Sequence, residues 1–202
     1  MTLRVKICGV MRADDARAAV DAGADAVGLI FAPGRRTVGL DAACAIAAAL
    51  PPWFALVGVF RNAPAADVRA VLARVPLTHL QFHGDEPADV VARSERPAIK
   101  ALPLCTEADE EHARSWLAAP AALLLDGATG GSGHPCDWVR AARLARLRPV
   151  VLAGGLTPDT VGAAVRAVRP AAVDVSSGVE SAPGVKDHAK LEAFIRNARG
   201  AA

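Results

Sequence analysis

The chain has 202 residues, 52% of them hydrophobic, and a formal net charge of +2 from 23 basic and 21 acidic residues. This length and hydrophobic content suit one domain with a sizeable core, which we expect to span residues 1–202. The balanced charge provides no strong field that would attract nucleic acid or an anionic membrane, so neither is an expected partner.

The sequence also favours a reduced, cytoplasmic setting. No basic segment followed by an apolar stretch opens the chain, so we expect no secretory signal. No apolar run approaches the ~20 residues that a membrane-spanning helix needs. The wide, irregular spacing of the cysteines favours neither a zinc site nor a disulfide framework; they are Cys8, Cys44, Cys105 and Cys136. We expect no metal.

Short apolar runs alternate with alanine-rich helical patterns along the whole chain. The predicted strands are 3–7, 26–31, 54–60, 78–82, 98–102, 122–126, 150–152 and 172–175. The helices predicted to follow them are 13–22, 40–50, 65–74, 86–94, 107–117, 138–147, 159–168 and 189–199. Because the strands are apolar at nearly every position, we expect them to be buried on both faces.

A helix after every strand predicts parallel strands with right-handed crossovers, and eight such units close into a (β/α)8 TIM barrel. The alternative is an open doubly wound sheet, which predicts a G-x-G-x-x-G turn after the first strand. The first strand ends instead in Cys8-Gly9-Val10-Met11. The α/β barrel is therefore the expected fold.

Several predicted strands end in a polar or reactive side chain. Cys8 ends the first strand, Gln81 and His83 end the fourth, and Asp126 ends the sixth. Active sites of barrels lie at the carboxyl ends of the strands, so these residues are candidates for a site. Gln81 and His83 are two positions apart and should point to the same side.

Asp126 and Cys8 each suit a proton transfer. Desolvation of a carboxyl at the end of the apolar run AALLLD favours its protonated form, which suits a general acid. A cap at the strand's exit is the alternative. A free thiol has a pKa of ~8.5, so Cys8 could take a proton from carbon only with a lowered pKa or next to an activating group such as an iminium. A buried structural cysteine is the alternative.

The segments after the seventh and eighth strands predict a phosphate site. VLAGGLTPD ends a strand in glycines and starts a helix at Thr157-Pro158, and DVSSGVE ends the next strand in small residues. Bare backbone N–H groups and hydroxyls in these two loops are how barrels hold phosphate. Two ordinary tight turns are the alternative. The candidate residues are Gly154, Gly155, Ser176, Ser177 and Gly178.

Two other loops are candidates for function. Arg35 and Arg36 follow the second strand in FAPGRRTV and could clamp a carboxylate through two parallel hydrogen bonds. GATGGSG, residues 127–133, follows the sixth strand and is rich enough in glycine to act as a lid, or it is simply a solvated loop.

Five segments together resemble the phosphoribosylanthranilate isomerase family of tryptophan biosynthesis. VKICGV resembles the opening KICG motif of that family, and QFHGDE resembles its QLHGDE-type segment. LLLDG, followed by GGSG and DW, resembles its sixth-strand aspartate and mobile loop. LAGGL and DVSSGVE, closing with PGVKD, resemble its phosphate site and final segment. The resemblance, with the five segments in this order and spacing, covers nearly the whole chain.

The resemblance implies a ribulose-phosphate-binding barrel that performs an Amadori rearrangement of N-(5-phosphoribosyl)anthranilate without a cofactor. It implies Cys8 as general base and Asp126 as general acid. It implies Arg36 on the anthranilate carboxylate and Gln81 and His83 in the lining of the substrate site. A small phosphosugar is then the expected partner, bound by a monomer or a homodimer.

The sequence departs from the family pattern at two places. FAPGRRTV is one residue shorter than usual, so Arg35 could replace Arg36, and His134-Pro135 stand where a basic or polar residue is common. One rival function is another phosphosugar barrel enzyme. The isomerase shared by histidine and tryptophan synthesis has an aspartate in place of Cys8, and metal-dependent epimerases need histidine and carboxylate ligands. A phosphosugar-binding barrel without turnover is the second rival.

Overall fold

The computed structural model, which describes residues 2–119, 121–127 and 135–202, contains a closed barrel of eight parallel strands surrounded by helices. The strands are β1 (Arg4–Cys8), β2 (Ala26–Ile30), β3 (Ala55–Phe60), β4 (His79–Phe82), β5 (Ala98–Pro103), β6 (Ala121–Asp126), β7 (Val150–Leu152) and β8 (Ala172–Val175). Each strand pairs with the next in the chain, and β8 pairs with β1. The predicted (β/α)8 barrel is confirmed.

A helix follows each strand on the outside of the barrel. These are α1 (Ala13–Asp21), α2 (Leu40–Ala48), α3 (Ala65–Leu72), α4 (Ala88–Ala92), α5 (Glu107–Ser115), α6 (Trp138–Ala145), α7 (Val161–Val168) and α8 (His188–Arg199). Within the described ranges, no helix is long and apolar enough to cross a membrane.

Side chains along each strand point alternately to two apolar cores, one between the barrel and the helices and one inside the barrel. Residues that point outward, such as Val5 and Ile7 of β1, are fully buried against the helices. A smaller cluster fills the inside of the barrel and consists of Val57, Ile99, Ala101, Leu124 and Ala153. This inner cluster forms a floor, so polar side chains beyond it at the carboxyl ends of the strands face a cavity.

Two helices begin later than the sequence predicts. The regular helix α7 begins at Val161 rather than at 157–159, because residues 158–160 form a turn. The hydroxyl of Thr160 accepts from the N–H of Thr157 at 2.9 Å, and the hydroxyl of Thr157 accepts from the N–H of Thr160 at 3.3 Å. Helix α4 is shorter than the predicted 86–94 because Pro87 precedes it and the Glu86 carboxylate bonds back to the preceding loops.

A small hairpin after β8 is an element that the pattern analysis did not predict. A 3-10 turn, Ser177–Val179, leads into β9 (Glu180–Ala182) and β10 (Val185–Lys186), which pair antiparallel. The turn between them contains Pro183 and Gly184, whose φ of 81° favours glycine. The hairpin brings Glu180 and Lys186 to the edge of the cavity.

Candidate active site

A cavity of about 400 Å³ opens at the carboxyl ends of the barrel strands. The ten residues that the sequence analysis assigned to a site all line it: Cys8, Arg36, Gln81, His83, Asp126, Gly154, Gly155, Ser176, Ser177 and Gly178. They come from six different strands and their loops. Because polar groups from opposite walls share this cavity, it can hold a small polar molecule between them.

Cys8 stands next to a buried ion pair. Cys8 and Lys6 lie two positions apart on β1 and both point into the barrel. The Lys6 ammonium donates to Asp174 of β8 at 2.8 Å, and both side chains of this pair are at most a tenth exposed. An ammonium close to a thiol stabilises its thiolate form, so the pair bears directly on the chemistry of Cys8.

Burial governs the acidity of these two groups in opposite ways. Burial raises the pKa of the Cys8 thiol, and the positive charge of Lys6 only partly offsets this effect. Burial alone would lower the pKa of Lys6, but the carboxylate of Asp174 outweighs it and the pKa is raised. Lys6 is therefore a permanent cation, whereas Cys8 is a thiol at neutral pH.

Gly28 of β2 leaves the space that Cys8 and Lys6 occupy. A Cβ atom at Gly28 would lie 2.9 Å from Sγ of Cys8 and 3.2 Å from Nζ of Lys6. Both distances are shorter than ordinary carbon contacts, so a side chain here would displace the thiol. Glycine is needed at this position to let both groups approach the β2 backbone.

Given the catalytic role that the resemblance implies for Cys8, Gly28→Ala is expected to lower kcat about tenfold, because it moves the thiol from its position in the cavity. The circular dichroism spectrum should stay that of the wild type. Gly39→Ala serves as the matched control, since among the described residues no atom beyond its chain neighbours lies within 4 Å of a Cβ atom at Gly39. A Gly28→Ala variant with the wild-type kcat would contradict this explanation.

Asp126 faces the cavity from the end of β6 with 7% of its surface exposed. Its Oδ1 accepts from the backbone N–H of Gly127 at 2.7 Å, and its Oδ2 lies 3.2 Å from Nε2 of His83. Residues 128–134, which include most of the predicted lid segment 127–133, lie outside the described residues. The carboxyl group is thus held from two sides while it lines the cavity.

Gln81 and His83 point together into the cavity, and Phe82 between them packs in the outer core. Nε2 of Gln81 lies 3.0 Å from Nδ1 of His83. His83 therefore has a neighbour at each ring nitrogen, Gln81 at one and Asp126 at the other.

Arg36 is held by Glu180 of the hairpin. Nε and Nη2 of Arg36 donate to the two carboxylate oxygens of Glu180 at 2.7 and 2.8 Å, a bidentate pair. The buried ammonium of Lys186 donates to the same carboxylate at 3.0 Å. Burial alone would raise the pKa of Glu180, but its bonds to Arg36 and Lys186 lower it. Arg35, in contrast, is exposed at the rim.

Given the carboxylate-binding role that the resemblance implies for Arg36, Glu180→Gln is expected to raise KM about tenfold and to change kcat little, because Arg36 loses the charged partner that fixes its orientation in the cavity. Steady-state kinetics test this split. Asp41→Asn is the matched control, since Asp41 forms an arginine pair with Arg74 far from the cavity. An unchanged KM in Glu180→Gln would mean that Arg36 does not bind substrate.

The two glycine- and serine-rich turns face the cavity with their backbones. Gly154 and Gly155 have φ values of 82° and 62°, which few other residues adopt. A Cβ atom at Gly178 would lie 1.9 Å from the carbonyl oxygen of Leu156, so only glycine lets the two turns touch. The hydroxyl of Ser176 is buried and has no hydrogen-bond partner among the residues that the structure describes. These turns offer donors to an anion.

Glu86 joins the loops after β3 and β4. Its carboxylate accepts from the N–H groups of Asn62 at 2.7 Å and Gly84 at 2.9 Å, and from the buried ammonium of Lys100 at 2.9 Å. This explains why a carboxylate ends the segment QFHGDE: it fixes the turn that follows His83 rather than facing the cavity.

Four residues of the site were missed by the sequence reasoning: Lys6, Gly28, Asp174 and Glu180. Three of them lie inside the quoted motifs VKICGV and DVSSGVE, but a charged residue within a strand gave no sign of its partner. Only barrel closure, which pairs β1 with β8, brings Lys6 to Asp174. The motifs therefore located the site, but the contacts between these residues depend on the fold.

Fold and site together define a class of protein: a (β/α)8-barrel enzyme whose reactive groups project from the carboxyl ends of the strands into one cavity. Residues 5–197 match the N-(5′-phosphoribosyl)anthranilate (PRA) isomerase family. The chain belongs to this family, which confirms the resemblance seen in its five motifs. As a member it is an isomerase of tryptophan biosynthesis.

Individual relatives match the chain over almost its full length. It is 47% identical over 207 residues to N-(5′-phosphoribosyl)anthranilate isomerase of Pseudomonas fluorescens SBW25, covering 98% of each chain. The alignments with two solved structures each cover 98% of this chain and 99% of the solved chain. The phosphoribosyl anthranilate isomerase in complex with reduced 1-(o-carboxyphenylamino)-1-deoxyribulose 5-phosphate has a TM-score of 0.90 at 39% identity. The structure of monomers generated from the dimeric enzyme of Thermotoga maritima has a TM-score of 0.89 at 38% identity.

Proposed function

We propose that the chain converts N-(5-phosphoribosyl)anthranilate into 1-(o-carboxyphenylamino)-1-deoxyribulose 5-phosphate, with Asp126 as general acid and Cys8 as general base. The observation that carries the proposal is that the two groups line one cavity from different walls, Cys8 from β1 and Asp126 from β6. A sugar bound between them would present its ring oxygen to one and a carbon-bound proton to the other.

The first step opens the sugar ring. Protonated Asp126 gives its proton to the ring oxygen, and the bond between this oxygen and C1 breaks as the nitrogen lone pair forms the iminium at C1. The carboxylate that remains is stabilised by the N–H of Gly127.

The second step removes the proton from C2. The iminium makes this proton acidic, which compensates for a thiol whose pKa burial raises. The thiolate of Cys8 takes the proton, and the electron pair moves to form the enolamine. Protonation at C1 and loss of the enol proton then give the ketone. The Lys6 ammonium stabilises the thiolate that this step requires.

The two charged groups of the substrate each have candidate partners among the residues that line the cavity. Arg36 would bind the anthranilate carboxylate through the guanidinium N–H groups that Glu180 leaves free. The N–H groups around Gly154, Gly155 and Gly178, with the hydroxyl of Ser176, would bind the phosphate. All steps move protons between side chains and substrate, so the proposal requires no cofactor. Its compartment would be the cytoplasm, where thiols such as Cys8 stay reduced.

Genetic complementation tests the proposal. A bacterial strain that lacks only this isomerase should grow without tryptophan when it expresses the chain. Expression of Cys8→Ala at the same level is the matched control and should not restore growth. Failure of the wild-type chain, expressed and folded, would instead favour another phosphosugar substrate or a barrel that binds without turnover.

We further propose that the chain forms a homodimer rather than remaining a monomer. The side chain of Trp53, in the loop before β3, is fully exposed, and its φ of 70° is unusual for a residue other than glycine. A cavity of about 890 Å³ lies at the same end of the barrel, between the segments that precede β7 and β8. An exposed tryptophan and a cavity at the same end of the barrel favour a second copy of the chain as the partner.

Trp53→Ser is therefore expected to convert dimers to monomers, because it removes the largest exposed apolar side chain of this end. Light scattering coupled to size exclusion measures the mass. Val139→Ser is the matched control, since Val139 is 69% exposed on α6 after β6, at the other end of the barrel. A monomeric wild type, or a dimeric Trp53→Ser, would overturn the proposed interface.

A further inference from the structure

Gln81, His83 and Asp126 form a continuous line of side chains along the wall of the cavity. The Gln81 amide lies 3.0 Å from Nδ1 of His83, and Nε2 of His83 lies 3.2 Å from Oδ2 of Asp126. Gln81 is 1% exposed, and its amide oxygen has no partner in the part of the chain that the structure describes. The contact of its nitrogen with His83 is therefore the interaction that fixes the Gln81 amide.

The contacts select one form of the histidine ring. An Oδ2 atom of Asp126 that accepts at Nε2, either in the carboxylate or as the unprotonated oxygen of the carboxyl group, requires a proton on that nitrogen. A neutral ring then has only a lone pair at Nδ1, so the neighbour at Nδ1 must donate. The NH2 group of Gln81 supplies this donor. The opposite neutral form would leave Nε2 bare and would draw the proton of Asp126 into an O–H···N bond.

We propose that Gln81 is a positioning residue that keeps His83 in the Nε2–H form, so that the ring donates to Asp126 and does not compete with the substrate for its proton. This inference rests on the proposed function, because it assigns Gln81 and His83 a task in the acid step. Gln81 acts through His83. It orients the ring and determines which nitrogen carries the proton, whereas Asp126 performs the transfer.

Other charged groups around His83 come from three elements. Asp85, in the loop after β4, and Arg61, in the loop after β3, line the same cavity. Lys100 of β5 and Glu86 neutralise each other behind the turn that follows His83. None of these side chains has a hydrogen bond to the ring among the described residues, so within that set the ring's protonated nitrogen is determined by Gln81 and Asp126.

Nitrogen-15 NMR of the histidine rings tests the proposal directly, at about pH 8, where an ordinary imidazole is neutral. In the wild type His83 should show a protonated Nε2 and a bare Nδ1. Gln81→Met removes the donor and should give a mixture of the two neutral forms, with kcat about tenfold lower and KM little changed. Gln81→Glu places an acceptor at Nδ1 and should protonate both nitrogens of His83.

Thr78→Val is the matched control, because the Thr78 hydroxyl lies 2.8 Å from Nδ1 of His79 at the far end of the same strand. This variant should alter the His79 signals and leave His83 and kcat unchanged. A bare Nε2 in wild-type His83 would overturn the proposal, and so would unchanged His83 signals in Gln81→Met. The NMR result does not depend on turnover, so lack of isomerase activity in the wild type would refute the proposed function separately.

Discussion

Cys8→Ala is expected to lower kcat by about 10²–10⁴-fold, because it removes the group proposed to receive the proton from C2. KM should change little, since the thiol contacts the substrate only at the reacting carbon. Burial raises the pKa of this thiol, so the thiolate fraction in the wild type increases with pH. The wild-type kcat/KM should therefore rise from neutral to alkaline pH, and this rise should be absent in Cys8→Ala.

Cys44→Ala provides the matched control for that experiment. Cys44 is a partly buried thiol of α2 that packs at the edge of the outer core and does not line the cavity. Its removal should leave kcat and the pH profile unchanged. Should Cys8→Ala retain wild-type turnover, the base would be a different group, and stabilisation of the Cys8 thiolate by Lys6 would have no part in catalysis.

Asp126→Asn is expected to lower kcat by about 10²–10⁴-fold as well, because an amide keeps the shape of the carboxyl group but cannot deliver a proton to the ring oxygen. The side-chain oxygen can still accept from the N–H of Gly127, which lies 2.7 Å from Oδ1 in the wild type. The fold should therefore be preserved. Steady-state rates with saturating substrate, alongside thermal unfolding, separate loss of catalysis from loss of structure.

Asp109→Asn is the matched control for this change. Asp109 completes the capping box of α5 with Thr106, outside the cavity. Its replacement should cost about 1 kcal/mol of stability and leave kcat at the wild-type value. If Asp126→Asn turned over at the wild-type rate, the acid would have to come from elsewhere in the cavity or from water.

The sequence predicts the barrel because its evidence is local and repeated. Each strand is a short apolar run, and each is followed by a helical pattern, so the order of elements alone implies parallel strands and closure. The residues that end β1, β4 and β6 could also be placed, since strand ends share one face of a barrel. For that reason Cys8, His83 and Asp126 were identified without knowledge of their contacts.

The partners of these residues could not be predicted, because they depend on contacts between distant parts of the chain. Lys6 and Asp174 meet only when β1 and β8 close the barrel. Glu180 reaches Arg36 across 144 positions through a hairpin of three- and two-residue strands, too short to give a period. Gly28 shows no local sign of function, and its role follows from the space that it leaves for Cys8.

The starts of helices α4 and α7 also could not be predicted from the sequence to the residue. Propensity placed their starts at Glu86 and near Thr157. The Glu86 carboxylate, however, accepts from the N–H of Gly84 in the preceding turn, and the Thr157 hydroxyl accepts from the N–H of Thr160 in the turn 158–160. A side chain that competes with the helix for hydrogen bonds shifts the helix start by two or so residues, and spacing patterns do not contain this information.

Turnover of freshly prepared N-(5-phosphoribosyl)anthranilate by the purified chain tests the central claim most directly. The loss of substrate fluorescence gives the rate, and mass spectrometry identifies the product. We predict rapid conversion to 1-(o-carboxyphenylamino)-1-deoxyribulose 5-phosphate, reduced to near the uncatalysed rate in both Cys8→Ala and Asp126→Asn. A folded wild-type chain that leaves this substrate unchanged would contradict the account.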